Sequence, residues 1–287
     1  MPELPEVETI VRGLARRLTG QVIEWIYLSR GDVVHGAAVP LCAALRNQRV
    51  RHVERVGKQV RIDTEGRTSL FVHLGMSGRL TVADRDDPIE PHTHLRVTFR
   101  RRRLELRFRD PRRFGGIWLV AGPGQEPNDW IGRRLPPAGA DPLQLSPGEL
   151  RGLLGRRRQI KALLLDQQVI GGIGNIYCDE TLHRAGIHPL TPANELDDHA
   201  VRRLRQAMRR VLTEAIRAGG SSISDYRTAD NKPGTFQHKH RVYDRAGRPC
   251  LRCRTPIRRL TVAGRATFIC PRCQPKVSTG KGRARRL

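Results

Sequence analysis

The sequence predicts an α+β protein: an N-terminal antiparallel β-sandwich with flanking helices, then a helical helix–two-turn–helix domain and a C-terminal four-cysteine hairpin. Three observations carry this. Apolar residues alternate with period two between about Val22 and Val120. Apolar residues then recur at helical spacing from Leu150 to Ile216. Finally, Cys250-x2-Cys253 and Cys270-x2-Cys273 stand sixteen residues apart.

A helix opens the chain. Pro5 suits its first position, and Val7, Ile10, Val11, Leu14 and Leu18 form one apolar stripe. Glu6 and Glu8 fall in the first turn and Arg16 and Arg17 in the last, in accord with the helix dipole, and Gly20 is a stop. Met1 to Leu4 is then a short arm at the positive end of a helix. Strands follow at Gln59–Asp63, Leu95–Phe99 and Leu104–Phe108, the last two joined by the basic run Arg100 to Arg103. Residues 121–148 are rich in Pro and Gly, without periodicity, and read as a linker.

Short helices are expected around Leu150–Leu154 and Ile160–Leu164. The turn Gly171-Gly172-Ile173-Gly174 leads into another over Asn175–Ala185, stopped by Gly186. A long helix carries Val201, Leu204, Met208, Val211, Leu212 and Ile216 on one face and ends at Gly219-Gly220. Residues 221–240 read as polar loop. The division expected is 1–125, a linker 126–148, 149–240, the Cys module 241–275 and a basic tail 276–287.

Two close Cys pairs around a hairpin-length insert place four thiolates about one tetrahedral Zn2+ ion, a closed structural site with no fifth ligand in the module. The insert turns at Gly264 and carries Arg258, Arg259 and Arg265, suited to gripping phosphates. Cys42 and Cys178 read as ordinary buried thiols.

Charge narrows the function. The 287 residues carry 53 Lys and Arg against 28 Asp and Glu, a formal net charge of +25. That surplus calls for a polyanionic partner, nucleic acid first; charge alone does not exclude a ribosome-associated or sticky basic protein without chemistry. No apolar run approaches the roughly 20 residues of a membrane span. The acidic, Pro-bearing start from Met1 to Glu8 is no export signal, so a cytoplasmic, nucleoid-associated monomer is expected. Arg dominates the basic residues. Lys58 is the only Lys before Lys161, and where Arg holds its proton permanently a Lys can release it.

Six segments, in order, resemble the bacterial formamidopyrimidine-DNA glycosylases: Met1 to Thr9, Leu74 to Arg79, Asp110 to Gly115, Gly172 to Tyr177, Ala185 to Pro189 and the four-Cys hairpin. The resemblance spans nearly the whole chain, and the Asp-Pro-Arg-Arg-Phe-Gly segment favours the guanine-repair branch over the endonuclease VIII branch. It implies a glycosylase and abasic-site lyase acting on oxidised purines (8-oxoguanine, formamidopyrimidines) in double-stranded DNA. After loss of Met1, the secondary amine of Pro2 would attack the sugar C1′ and form an iminium that drives β- and δ-elimination. Glu3 would protonate the ring oxygen, with helix capping as its plainer role. Lys58 would contact the lesion phosphate, and Arg265 would hold phosphates and assist the second elimination. Met76, Arg112 and Phe114 match a wedge that fills the gap left by a flipped base; for Met76 and Phe114 core packing is the plainer reading. Arg113 and Asn175 would bind phosphate, Asn175 having helix capping as its alternative. His92, Arg156 and Lys161 fall at DNA-contact or pocket positions.

The sequence departs from the family pattern at three places. Ala138-Gly139-Ala140 is a loose form of the linker motif, Cys178 replaces a small residue, and Ser224 stands in the lesion lid where a basic residue is common. The last leaves base preference open. Removal of oxidised pyrimidines, or DNA binding without catalysis, remain alternatives.

Overall fold

The computed structural model describes residues 1–35, 38–121, 138–223 and 225–276. Most of the expected linker, Ser224 and the basic tail from residue 277 on lie outside the described residues. The chain forms two compact units, Met1–Asp141 with Leu212–Lys239, and Pro142–Val211 with His240–Leu287.

In the first unit, helix α1 (Leu4–Leu18) starts one residue earlier than expected, so Pro5 takes its second position. There its missing N–H is still one of the helix's unpaired donors. The predicted stripe is the buried one: Val7, Ile10, Leu14 and Leu18 have no exposed surface. Two sheets follow. One is antiparallel with strand order β1 (Ile23–Leu28), β7 (Thr93–Phe99), β8 (Leu104–Arg109), β6 (Arg79–Asp84). The other has order β2 (Val34–His35), β9 (Gly116–Ala121), β5 (Thr68–His73), β4 (Gln59–Thr64), β3 (Val50–Val56). Leu80, Val82, Val97, Leu106 and Phe108 of the first sheet join Val53, Val60, Ile62, Leu70, Val72 and Leu119 of the second in one apolar cluster with the α1 stripe. That is the predicted sandwich. One pairing is not antiparallel: β2 runs parallel to β9 through Val34↔Ile117 and His35↔Trp118.

Two features depart from a purely alternating pattern. Helix α2 (Ala38–Leu45) interrupts the strands. Its sequence AVPLCAAL is apolar throughout, so it carries no period. Pro40 is tolerated because it lies in the first turn, and Leu41 and Leu45, one turn apart, are buried. On β8, Glu105 and Arg107 point away from the core yet are also buried. Arg107 pairs with Glu105 and donates to the backbone oxygens of Asp84, Asp87 and Pro88, so a loop covers this face.

Residues 221–240 are not simply polar loop. Tyr226, Ala229 and Phe236 are buried, and the Tyr226 hydroxyl donates to the carbonyls of Gly219 (3.0 Å) and Glu6 (3.3 Å). Val82 N–H donates to Ala229 O at 2.9 Å. Three apolar residues so widely spaced leave no periodic signal.

The second unit contains α3 (Pro147–Leu154), α4 (Ile160–Leu164), α5 (Asn175–Ala185) and the first turns of α6 (Asp198–Arg217), then β10 (Arg258–Val262) and β11 (Arg265–Ile269). Ser146 and Glu149 form a reciprocal capping box at the start of α3. The hairpin β10–β11 turns through Ala263 (φ +50°) and Gly264 (φ +70°), the paired left-handed conformation of a two-residue turn matched to strand twist.

Candidate functional site

The N-terminal arm is held rather than free. Glu3 is the N-cap of α1, and its N–H donates to the Glu6 carboxylate at 2.8 Å. The other Glu6 oxygen accepts from the Ser221 N–H at 2.7 Å. Glu6 thereby ties the arm to the segment expected to be the lesion lid. A small pocket is lined by Met1, Pro2, Glu6, Met76, Ser221, Ile223 and Tyr226. Pro2 and Glu3 are both buried, whereas Met1 is half exposed.

Burial lowers the Met1 amine below its ordinary pKa of 8.0, and this outweighs the opposing carboxylates of Glu3 and Glu6. The positive charges of Lys58 and Arg112 act in the same direction as burial. Lys58, between Gly57 and β4, is nearly buried. Beside it is His73, which the sequence pattern does not single out. Burial first, then the Lys58 charge, lower its imidazole to about 4, so the ring is neutral. Its Nδ1 accepts from the Gly75 N–H at 3.1 Å, which puts the ring proton on Nε2. The sequence signal available was its place directly before Leu74-Gly75-Met76.

Met76 and Phe114 are not core residues: they are 40% and 45% exposed, a state that needs a reason for large apolar side chains. The Arg112 guanidinium stacks over the Phe114 ring at 4.6 Å. The two loops that carry them are fastened by Asp110, which sequence reasoning also missed. Its carboxylate accepts from Ser77 Oγ (2.6 Å) and Gly115 N–H (2.8 Å), and Ser77 Oγ accepts from Arg112 N–H (3.3 Å). Gly75 (φ +59°) lets the loops touch, since a Cβ there would lie 2.4 Å from the Phe114 carbonyl carbon. Asp110→Ala should strand two buried donors, at about 1–3 kcal/mol each. Urea unfolding should show a loss of about 3 kcal/mol; an unchanged midpoint would contradict the clasp.

Arg113 (φ +54°) pairs with Asp32 at 2.6 Å on the surface, both side chains about half exposed. Such a pair contributes little and exchanges readily. His92 is exposed with φ +67° and lends its carbonyl to the Asp110 N–H.

In the second unit, Arg156 and Arg265 are exposed. Asn175 is not the N-cap of α5; Gly174 is. The Asn175 amide instead donates to Ala266 O at 2.8 Å, next to Arg265, and retains a second N–H. Lys161 departs from expectation. It has no exposed surface, and its ammonium meets Asp179 at 2.6 Å. A buried cation needs such a partner, so Lys161 is placed to brace α4 against α5 rather than to reach a phosphate. Burial nevertheless pushes the Asp179 carboxyl up to about 6 despite Lys161.

The four sulfurs of Cys250, Cys253, Cys270 and Cys273 lie within 4.8 Å of one another. Contacts of 3.3 Å (Cys253–Cys270), 3.5 Å (Cys253–Cys273) and 3.9 Å (Cys250–Cys273) bracket the about 3.8 Å edge of a zinc–thiolate tetrahedron. Burial and neighbouring sulfurs push Cys273 up from its ordinary value, a strain that a divalent cation removes, and bonds from Thr255 pull Cys253 down to about 6. The residues fit one structural zinc ion. Cys178 is fully buried and Cys42 half-buried, neither in a disulfide.

Fold and site together define a zinc-finger α+β protein with a helix–two-turn–helix segment. Residues 1–117 match the formamidopyrimidine-DNA glycosylase N-terminal domain, 144–227 its H2TH domain, and 247–276 the zinc finger found in FPG and IleRS. Formamidopyrimidine-DNA glycosylases of Solibacter usitatus and Geobacillus kaustophilus are 42% and 43% identical, over 96% of this chain and 100% of theirs. A Lactococcus lactis FPG mutant in complex with a Fapy-dG containing DNA superposes with a TM-score of 0.84 at 33% identity, over 96% of this chain and 100% of that one. The MutM (FPG) protein of Thermus thermophilus gives 0.80 at 40% identity, over 95% and 98%. The chain belongs to the formamidopyrimidine-DNA glycosylase family.

Proposed function

We propose that this protein excises oxidised purines, 8-oxoguanine and formamidopyrimidines, from double-stranded DNA and then cleaves the strand, using the amine of Pro2 after loss of Met1. The observation that carries this reading is the arm itself: Pro2 is buried in a pocket with Glu6, Met76 and Tyr226, next to a Met1 amine that burial lowers below its ordinary pKa. A neutral secondary amine attacks C1′ as the base departs. Glu3, buried beside it, gives a proton to the ring oxygen as the ring opens. The resulting iminium cannot shed its positive charge by losing an N–H proton. It serves as the electron sink while the 3′ and then the 5′ phosphate leave.

The remaining roles follow from placement. Lys58 bears on the same pocket and supplies charge to the lesion phosphate. Met76, Arg112 and Phe114, exposed on two fastened loops, fill the space of the flipped base. Arg113 exchanges Asp32 for a phosphate. His92, Arg156, Asn175 and Arg265 hold the backbone. In this reading the functional modules are 1–125, 149–240 and 241–275. No described helix is long and apolar enough to cross a membrane, and we place the enzyme in the cytoplasm on the nucleoid, acting as a monomer.

Borohydride trapping tests the reading. Mature protein should form a covalent adduct on duplex DNA with 8-oxoguanine opposite cytosine, at Pro2. Absence of the adduct with verified Pro2 at the N-terminus sinks it. Preferential trapping on an oxidised pyrimidine assigns the protein to the other substrate class.

A further inference from the structure

We propose that His183 is an outer-sphere partner of the zinc ion, donating its Nε2–H to the Cys250 thiolate and so making helix α5 part of the metal centre. The His183 Nε2 lies 3.6 Å from Cys250 Sγ, within reach of an N–H···S bond. Both residues are buried, at 2% and 0% exposed. They are 67 positions apart in sequence, so the contact is set by the fold and not by the local cysteine motif.

The chemistry fixes which nitrogen carries the proton. A zinc-bound thiolate offers only lone pairs. A proton on Nδ1 alone would set the Nε2 lone pair against the sulfur. It would also bury an N–H with no acceptor, because His183 Nδ1 is buried and has no hydrogen-bond partner. With the proton on Nε2, the bond to sulfur forms, and Nδ1 keeps only an idle lone pair.

Four thiolates on one Zn2+ leave the cluster with two net negative charges in a largely buried place. Donors to sulfur spread that charge, and partners of this kind govern metal retention. Within the module, Arg252 N–H reaches Cys250 and Cys273 N–H reaches Cys270, each at 3.4 Å. His183 adds a side-chain donor from outside it.

The rest of α5 shows why this bond couples metal and helix. Asp179 accepts from Phe268 N–H at 2.9 Å. Glu180 accepts from the N–H groups of Arg241, Val242 and Tyr243 at 2.9–3.0 Å. Asn175 holds Ala266 O. Asn175, Asp179 and His183 are spaced by four and form a single strip of the helix. One end of the strip meets the sulfurs and the other the residue next to Arg265.

The test uses full-length protein loaded with Zn2+, or with Co2+ as a spectroscopic probe. His183→Phe should weaken Zn2+ retention against a competing chelator by about 10- to 100-fold. It should also move the sulfur-to-cobalt charge-transfer band to lower energy, since an unbonded thiolate gives up its electrons more easily. His183→Gln, whose amide can still donate, should recover most of both. In the unaltered zinc protein, long-range 1H–15N correlation should find the His183 proton on Nε2, a readout that stands even where the Phe variant fails to fold. A proton on Nδ1, or a His183→Phe protein with unchanged zinc affinity and band position, would overturn the proposal.

Discussion

A chain that keeps Met1, or any residue ahead of Pro2, should give no borohydride-trapped adduct, and its lesion excision should fall by on the order of 10³-fold or more, about 4 kcal/mol of barrier. The reason is electronic. In an X–Pro peptide the nitrogen is a tertiary amide whose lone pair is delocalised into the carbonyl. It has neither the nucleophilicity nor the proton that the reaction requires. Binding should change far less, because Met1 is half exposed at the mouth of the pocket and leaves Lys58, Arg112 and the wedge loops as they are. A gel-shift assay should therefore hold within a few-fold while trapping vanishes. The pH profile of the mature enzyme gives a second check. Burial lowers the Met1 amine from its ordinary 8.0, and the same enclosure acting on a Pro2 amine would make its neutral fraction grow sooner as pH rises. Trapping should climb with pH and reach its plateau at a lower pH than an ordinary terminal amine would give. Efficient trapping by a verified Met1-bearing chain would remove Pro2 from the mechanism.

Features of this protein differ in how far sequence reveals them, and the difference is physical. The α1 stripe, the strand alternation and the two Cys pairs are local patterns, each imposed by one element's geometry, and each is legible. Helix α2 is not, because eight apolar residues in a row carry no period. Lys161 shows the limit for side chains: the resemblance puts it at a DNA-contact or pocket position. Its buried partner, Asp179, lies 18 residues on and is set by helix packing. Asp110 binds Ser77 across 33 residues, and His183 meets Cys250 across 67. Such partnerships leave no spacing signature. At Met76 and Phe114 the structure removes the core-packing reading, since neither side chain is packed in the core.

Stripping the zinc should have the second large effect, and it should be confined to the second unit. The hairpin β10–β11 has two five-residue strands, too little to be stable alone in water. The apolar cluster around it is small: Val242, Ile257 and Phe268 with the sulfurs of Cys250 and Cys270. Binding of a structural zinc by four thiolates is worth about 10–16 kcal/mol near pH 7, far more than such a cluster provides. Chelation, or Cys250→Ser with Cys253→Ser, should therefore unfold the hairpin and release Arg258, Arg259 and Arg265 from any fixed arrangement. DNA affinity should drop, and its dependence on salt should flatten. With these three guanidinium groups no longer held against phosphates, the slope of log K against log salt should shrink by about 2 to 3. The sandwich of the first unit, with its own core, should keep its cooperative unfolding transition. Salt titration by fluorescence anisotropy and thermal unfolding of the same stripped sample separate the two effects. An unaltered slope after verified zinc loss would mean the hairpin does not grip the backbone. Loss of the first unit's transition would mean that the zinc stabilises more of the chain than its own module.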